Sequence, residues 1–178
     1  MTARAIKSRI RTIPDFPKQG IQFRDITTLL ADGEGLSQTV EALAEMARSA
    51  RVDAVAGIEA RGFIFGTALA IALGTGFIPL RKAGKLPVAV IGEDYSLEYG
   101  TARLELDPSL IRDGERVLLV DDLLATGGTA IAGAKLLRRA GAVVERALFV
   151  VDLPALGGTE ALAKHNLAVE AVVSFEGH

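Results

Sequence analysis

Residues 117–120, Val-Leu-Leu-Val, form an apolar run that ends on two adjacent acids, Asp121 and Asp122, and two leucines later opens into Ala125-Thr126-Gly127-Gly128-Thr129. The two glycines let backbone approach an anion closely. The N–H groups of a helix start, the helix dipole and the hydroxyls of Thr126 and Thr129 then cradle a phosphate. No Lys follows the glycines, as it does in the nucleotide-triphosphate loop, and no G-x-G-x-x-G dinucleotide pattern is present, so a monophosphate fits better. Carboxylates a few residues upstream are poorly placed for phosphate and well placed to accept hydrogen bonds from a sugar diol. Phosphate plus diol describes a ribose 5-phosphate. The bland alternative, acids that only cap a strand-to-helix turn, is the weaker one, because paired acids after an all-apolar strand are costly without a polar partner.

Three further segments carry chemistry with less force. In Gly57-Ile-Glu-Ala-Arg-Gly-Phe63, Arg61 offers a planar bidentate donor to a phosphate with Gly62 clearing space, and a surface Arg at a turn is an equal reading. Arg81, Lys82 and Lys85 gather in the glycine- and proline-marked stretch 79–87, which suits either a lid closing on a polyanion or a solvated loop. Phe23, within residues 14–28, is a flat face for stacking a planar ring, with backbone near Gln22 and Arg24 to read its edge; a core Phe among loop prolines is the alternative.

The elements that must position these residues follow from composition and period. The chain has 178 residues, 49% of them hydrophobic, 5% aromatic, with mean hydropathy +0.33. That is enough for one ordinary domain with an aliphatic core, as in a buried parallel sheet covered by helices. No apolar run approaches the roughly 20 residues of a bilayer span. Zero cysteines and two histidines exclude disulfides, thiol nucleophiles and a His-based metal centre, so no protein metal cage is expected. A net charge of -2 gives no basic field for nucleic acid or membrane. The basic N-terminus lacks the apolar core of a secretory signal, which makes a cytoplasmic location the expectation.

Leu36, Val40, Leu43 and Ala47 share a helical stripe, and residues 53–58 follow as a strand. Residues 63–73 are predicted as a helix ended by Gly74, 77–80 as a strand, 117–120 as a strand, 129–140 as a helix stopped at Gly141, 143–151 as a strand and 171–175 as a fifth. Strands alternating with helices imply βαβ crossovers and an α/β fold with a mostly parallel sheet, whose site lies at the carboxyl ends of the strands. Residues 82–106 break this rhythm and read as a mobile, hairpin-like excursion.

Residues 117–129 resemble the 5-phosphoribosyl-1-pyrophosphate (PRPP) signature of the type I phosphoribosyltransferase family, and three other segments, in family order, resemble its adenine-using members. The resemblance implies that fold, a central mostly parallel sheet flanked by helices, as one domain with an N-terminal hood of about residues 1–35 and a flexible lid of about 82–106. It implies that Asp121 and Asp122 hold the ribose hydroxyls and residues 125–129 the 5-phosphate. Glu59, Ala60, Arg61, Arg81, Lys82 and Lys85 would bind pyrophosphate, with the Glu59–Ala60 peptide cis. Gln22, Phe23 and Arg24 of the hood would bind adenine, Leu153 would cover its other face, and Glu98 would be a general acid/base, with Arg61 also catalytic. Mg2+ held mainly through PRPP and pyrophosphate, and a homodimer, are implied as well. The alternatives are transfer to another base such as hypoxanthine, guanine or xanthine, and a non-catalytic PRPP-binding regulator.

Overall fold

The computed structural model describes residues 3–96 and 100–177. Helix α1 (Ala3–Ser8) leads into an antiparallel ribbon of β1 (Arg11–Pro14) and β2 (Gln22–Asp25), then the short α2 (Thr27–Leu30) and α3 (Gly33–Ala47). The alternation begins with β3 (Ala54–Ile58), α4 (Arg61–Leu73) and β4 (Gly76–Lys82). A hairpin of β5 (Ile91–Ser96) and β6 (Thr101–Leu106) interrupts it. It resumes with β7 (Val117–Leu124), α5 (Gly128–Arg139), β8 (Arg146–Asp152), α6 (Gly158–Ala163) and β9 (Ala168–Ser174).

One sheet takes these strands in the order β5-β6-β4-β3-β7-β8-β9, parallel from β4 to β9 and antiparallel at β4–β6 and β5–β6. Both faces of its centre are covered, which is why β3 and the start of β7 are apolar at every position. Alternation sends Ala54, Ala56, Ile58, Val117 and Leu119 into a core with Leu136 and Leu137 of α5. It sends Val55, Leu118 and Val120 into a second core with Leu43 of α3 and with Phe65 and Leu69 of α4. Each fully buried Leu or Phe contributes about 1.5–3 kcal/mol relative to exposure.

Local signals set the helix ends. Asp32 caps α3, its carboxylate accepting from the Gly35 amide at 2.6 Å. Gly74 closes α4 in the left-handed region, and the Thr75 amide returns to the Ala70 carbonyl at 2.9 Å. The α3 stripe is deeper at Leu43 and Ala47 than at Leu36 and Val40, which are half-buried.

Several boundaries differ from the sequence reading, four of them with a pairing that explains the difference. β7 does not stop at residue 120, because Leu123 and Leu124 pair with Val151 and Asp152 of β8, so both acids lie within the strand. β4 continues through Lys82 because Arg81 and Lys82 pair with Glu105 and Leu104 of β6; they are strand residues, not loop residues. β8 begins at Arg146, with Val143 reduced to an isolated bridge to Arg116. β9 starts three residues earlier than expected, since Ala168, Val169 and Glu170 pair with Arg146, Ala147 and Leu148.

From β3 the chain steps first to β4 on one side, then to β7, β8 and β9 on the other. The carboxyl ends of β3 and β7 are therefore neighbours at the point where the winding reverses, and a crevice opens there.

Candidate functional site

At the carboxyl end of β7, Gly127 adopts φ +88° as the N-cap of α5, a conformation that favours glycine. The first-turn amides of α5 have no acceptors within the helix. Ala125, Thr126, Gly127, Gly128 and Thr129 line a cavity of about 90 Å3, with Asp121 in its wall. The five residues chosen for phosphate thus share one cavity with one of the two acids. The Ser96 carbonyl, at the end of β5, lies 3.4 Å from where a Cβ on Gly128 would stand, so the hairpin reaches the mouth of this cup.

Adjacent residues in an extended strand diverge, and the two acids have different surroundings. Asp121 faces the cup and accepts the Asp122 amide at 2.8 Å. It keeps some surface open, yet it is deep enough that burial, and then the Asp122 charge, push its carboxyl well above the usual range. Asp122 is buried and accepts from Arg61 Nε at 2.5 Å. Burial pulls the Arg61 guanidinium down, but the charges of Asp122 and Asp121 and the hydrogen bond outweigh it and raise it overall. Gly62 is needed for the close approach of α4 to β7: a Cβ there would lie 2.8 Å from Asp121 Oδ1 and 3.0 Å from the Val120 carbonyl. Its missing side chain makes room for Asp121.

Beyond Arg61 lies a second, largely apolar cavity of about 350 Å3, lined by Ile13, Phe16, Phe23, Arg24, Asp25, Ile26, Thr27 and Arg61. Phe16 meets Phe23 edge-to-face, with centroids 5.2 Å apart. Ribbon pairing opposes Ile13 to Phe23, Pro14 to Gln22 and Thr12 to Arg24. Arg24 Nη1 donates to Thr12 Oγ1 at 2.6 Å, so the residue is tied across the ribbon by its side chain as well. Leu153 is buried beyond β8, its amide donating to the Leu124 carbonyl at 3.0 Å, and does not line this cavity.

Asp25 was missed by sequence reasoning, as were Thr27, Phe16, Ile13 and Ile26 of the same wall. The Asp25 carboxylate accepts from the Thr27 hydroxyl at 2.7 Å, the Thr27 amide at 2.9 Å and Arg11 Nη2 at 2.5 Å. The Thr27 hydroxyl and then Arg11 lower its pKa to about 2. The legible signal was Asp25-Ile26-Thr27, an acid placed to cap the turn that opens α2.

After β3, the Glu59–Ala60 peptide is cis, as expected. The Glu59 carboxylate accepts from Arg81 Nε at 3.2 Å and the Lys82 amide at 2.9 Å. Burial raises its pKa, but those two donors outweigh it and the net shift is downward. Arg81 Nη1 also reaches the Lys85 carbonyl at 3.5 Å, which brings the three predicted cations to the edge of the β3 loop. The hairpin beside them is fastened to α5: Glu93 accepts from Arg139 at 3.0 Å and pairs with Lys135 at 3.6 Å. Glu98 lies outside the described residues. Among the described residues no helix is long and apolar enough to cross a membrane.

Residues 27–173 match the phosphoribosyl transferase domain family. The adenine phosphoribosyltransferase of Novosphingobium aromaticivorans is 62% identical and that of Erythrobacter litoralis 60% identical, each over the full length of both chains. The crystal structure of the adenine phosphoribosyltransferase from Thermoanaerobacter pseudethanolicus superimposes with a TM-score of 0.93 at 44% identity, covering 98% of this chain and 100% of that one. The Giardia lamblia enzyme complexed with 9-deazaadenine gives 0.92 at 34% identity, covering 98% of each.

Proposed function

The chain belongs to the adenine phosphoribosyltransferase family, and from that premise we propose how its residues carry the family reaction: adenine plus PRPP gives AMP and pyrophosphate. The observation that carries the assignment is the nearness of two cavities: Asp121 stands in the wall of the phosphate cup, and its neighbour Asp122 accepts from Arg61, which stands in the wall of the aromatic pocket. A ribose 5-phosphate seated in the cup directs its C1 toward a planar base against Phe23.

The C1–pyrophosphate bond breaks as the purine N9 to C1 bond forms, and positive charge builds on the ribose ring between the two events. The amides of the first turn of α5, with Thr126 and Thr129, hold the 5-phosphate. Asp121 and Asp122 accept from the ribose hydroxyls, fixing the ring and favouring its developing positive charge. Backbone at Glu59–Ala60, with Arg61, Arg81, Lys82 and Lys85, neutralises the departing pyrophosphate. Phe23 stacks on adenine, backbone at Gln22 and Arg24 reads its edge, and Leu153 covers the opposite face. Glu98 serves as the acid/base group at the purine, and the stretch 82–106 closes over the pyrophosphate as a lid on a single domain whose hood is residues 1–35.

The residues fit a Mg2+ that arrives on substrate. The described residues bring no three acidic or His side chains around one point, while Asp121 presents hard carboxylate oxygens in the wall of the cup. The bound ion supplies positive charge to the pyrophosphate oxygens. The protein is proposed to act in the cytoplasm as a homodimer. The outward face of α4, with Ile64 at 43% and Ile71 at 77% exposure, supports the second point.

The deciding experiment supplies the purified protein with PRPP, Mg2+ and one base at a time, and measures pyrophosphate release. Adenine is expected to turn over far faster than hypoxanthine, guanine or xanthine. Faster turnover of a 6-oxopurine would reassign the base, and PRPP binding without pyrophosphate release would leave a regulator.

A further inference from the structure

Phe175 lies just beyond β9, 8% exposed, and none of the roles above involves it. Its ring faces two cations: Arg24 Cζ lies 4.4 Å from the centroid and Lys7 Nζ 4.6 Å from it. The Phe175 amide donates to the Asp152 carbonyl at 3.0 Å, continuing the β8–β9 ladder by one step. The ring is therefore anchored on the rigid end of the sheet, inside the core that also holds Ile6, Ile10 and Leu153.

Arg24, by contrast, belongs to a two-stranded ribbon, an element with little independent stability. Its side chain is partly buried, and its Nε has no hydrogen-bond partner. Burial without a partner disfavours this placement of a guanidinium, so other contacts must hold it. Those contacts are the Phe175 face, the Thr12 hydroxyl at 2.6 Å and the Glu176 carbonyl at 3.5 Å. Phe23 precedes Arg24, and Asp25 follows it; all three line the base pocket. Pinning the Arg24 side chain fixes the backbone on which Phe23 is carried.

We propose that Phe175 is a positioning residue for base recognition: by stacking on Arg24 it ties the β1–β2 ribbon to the end of the central sheet and holds the Phe23 wall at its working distance. The inference rests on the base-binding reading given above for that pocket. It separates two parts of the molecule. The phosphate cup lies on β7 and α5 and owes nothing to Phe175, whereas the base pocket depends on it.

The test compares Phe175→Leu, which keeps apolar bulk and removes the π face, with Phe175→Tyr, which keeps the face. In Phe175→Leu the KM for adenine is expected to rise about threefold to thirtyfold, the range a cation–π contact supports, with the KM for PRPP within twofold of the parent. Phe175→Tyr is expected to restore the parent value. Hydrogen exchange provides the second readout: residues 11–25 should exchange faster in Phe175→Leu, and residues 117–130 should not. An unchanged adenine KM with unchanged exchange at 11–25 overturns the proposal. So does a parallel rise of both KM values with faster exchange throughout and no rescue by Tyr, which would make Phe175 a stability residue only. The parent protein, assayed alongside, tests the base reading separately. If it does not use adenine that reading fails, and the exchange comparison still decides whether Phe175 holds the ribbon.

Discussion

The phosphate cup and the base pocket are built in opposite ways. The cup is nearly contiguous: apart from Phe149 of β8, residues between Asp121 and Ala130 supply its wall, and backbone amides and small side chains do most of its work. The base pocket draws residues 13 to 27 from a ribbon and short helix, and Arg61 from the start of α4, with its backing from Phe175 at the far end of the chain. A site made of one strand-to-helix turn is fixed once that turn folds. A site assembled from distant segments is only as well placed as the contacts joining them. The two halves should therefore respond differently to perturbation.

The largest expected effect is at Asp121. Asp121→Asn should lower kcat/KM for PRPP by about 10²–10³-fold, the size found when one preorganised hydrogen-bonding group is removed. The same variant should be more stable at neutral pH. The parent carboxyl is pushed up by burial, so the folded state prefers its protonated form, and stability falls as pH rises from the ordinary carboxylate range through the raised value. Asparagine carries no charge to bury. Thermal unfolding at pH 7.5 checks this arm, and a lower Tm than the parent would show that Asp121 is not held against its own burial.

Removing Phe23 probes the other half. A stacked aromatic contributes about 1–3 kcal/mol per base, so Phe23→Ala should raise the KM for adenine about tenfold or more while the KM for PRPP stays within twofold. Equal losses for both substrates would mean that the pocket and the cup are one mechanical unit, and the contrast drawn above would fall.

How much of each half was legible follows from the same distinction. The cup was read almost complete because its chemistry lies in consecutive residues whose types are demanding: paired acids, two glycines and two threonines after an apolar strand. What was not legible was that Asp121 and Asp122 would part company. That depends on the pairing of Leu123 and Leu124 with β8, a partner more than twenty residues away. The sheet was equally readable, since residues buried on both faces form unbroken apolar runs, although β4 ran on through two cations because β6 supplied them with partners. In the base pocket Phe23, its neighbours and Arg61 were named, Phe23 with a core Phe as the alternative reading until the resemblance favoured stacking. Asp25 looked like any acid of a loop, and its importance appears only when Arg11 and Thr27 converge on it. Strands of four residues, such as β1 and β2, are too short to show a period.

Titration offers a gentler separation. The KM for PRPP should rise as pH is lowered through the raised Asp121 value, because protonation removes an acceptor from the ribose site. The base pocket should show no matching change. Its acid, Asp25, is lowered to about 2 and stays ionised throughout the working range. The stability Asp25 contributes is present above the ordinary carboxylate range and is lost only as pH falls toward 2. Adenine binding followed by fluorescence or calorimetry between pH 5 and 8, with PRPP affinity measured in parallel, checks the difference. A common inflection in both curves would place one shared group in control of both sites.

The smallest effect is expected at the clasp between hairpin and helix. Glu93 is engaged by Arg139 and Lys135, whose side chains are about half exposed, and exposed pairs of this kind are worth less than about 1 kcal/mol each. Glu93→Gln should therefore lower Tm by no more than about 4–8 °C. Its kinetic consequence should nevertheless be one-sided. The hairpin meets the cup at Ser96 and Gly128, and α5 supplies both the clasp cations and the cup amides. Loosening the hairpin should change the KM for PRPP or the rate of pyrophosphate release by a few-fold and change the KM for adenine less, since no residue of β5 or β6 lines the base pocket and only Glu98, in the segment joining them, is proposed to reach the purine. A shift in adenine affinity alone would mean that the hairpin acts on the base pocket, which would reverse the division of labour drawn between the two halves.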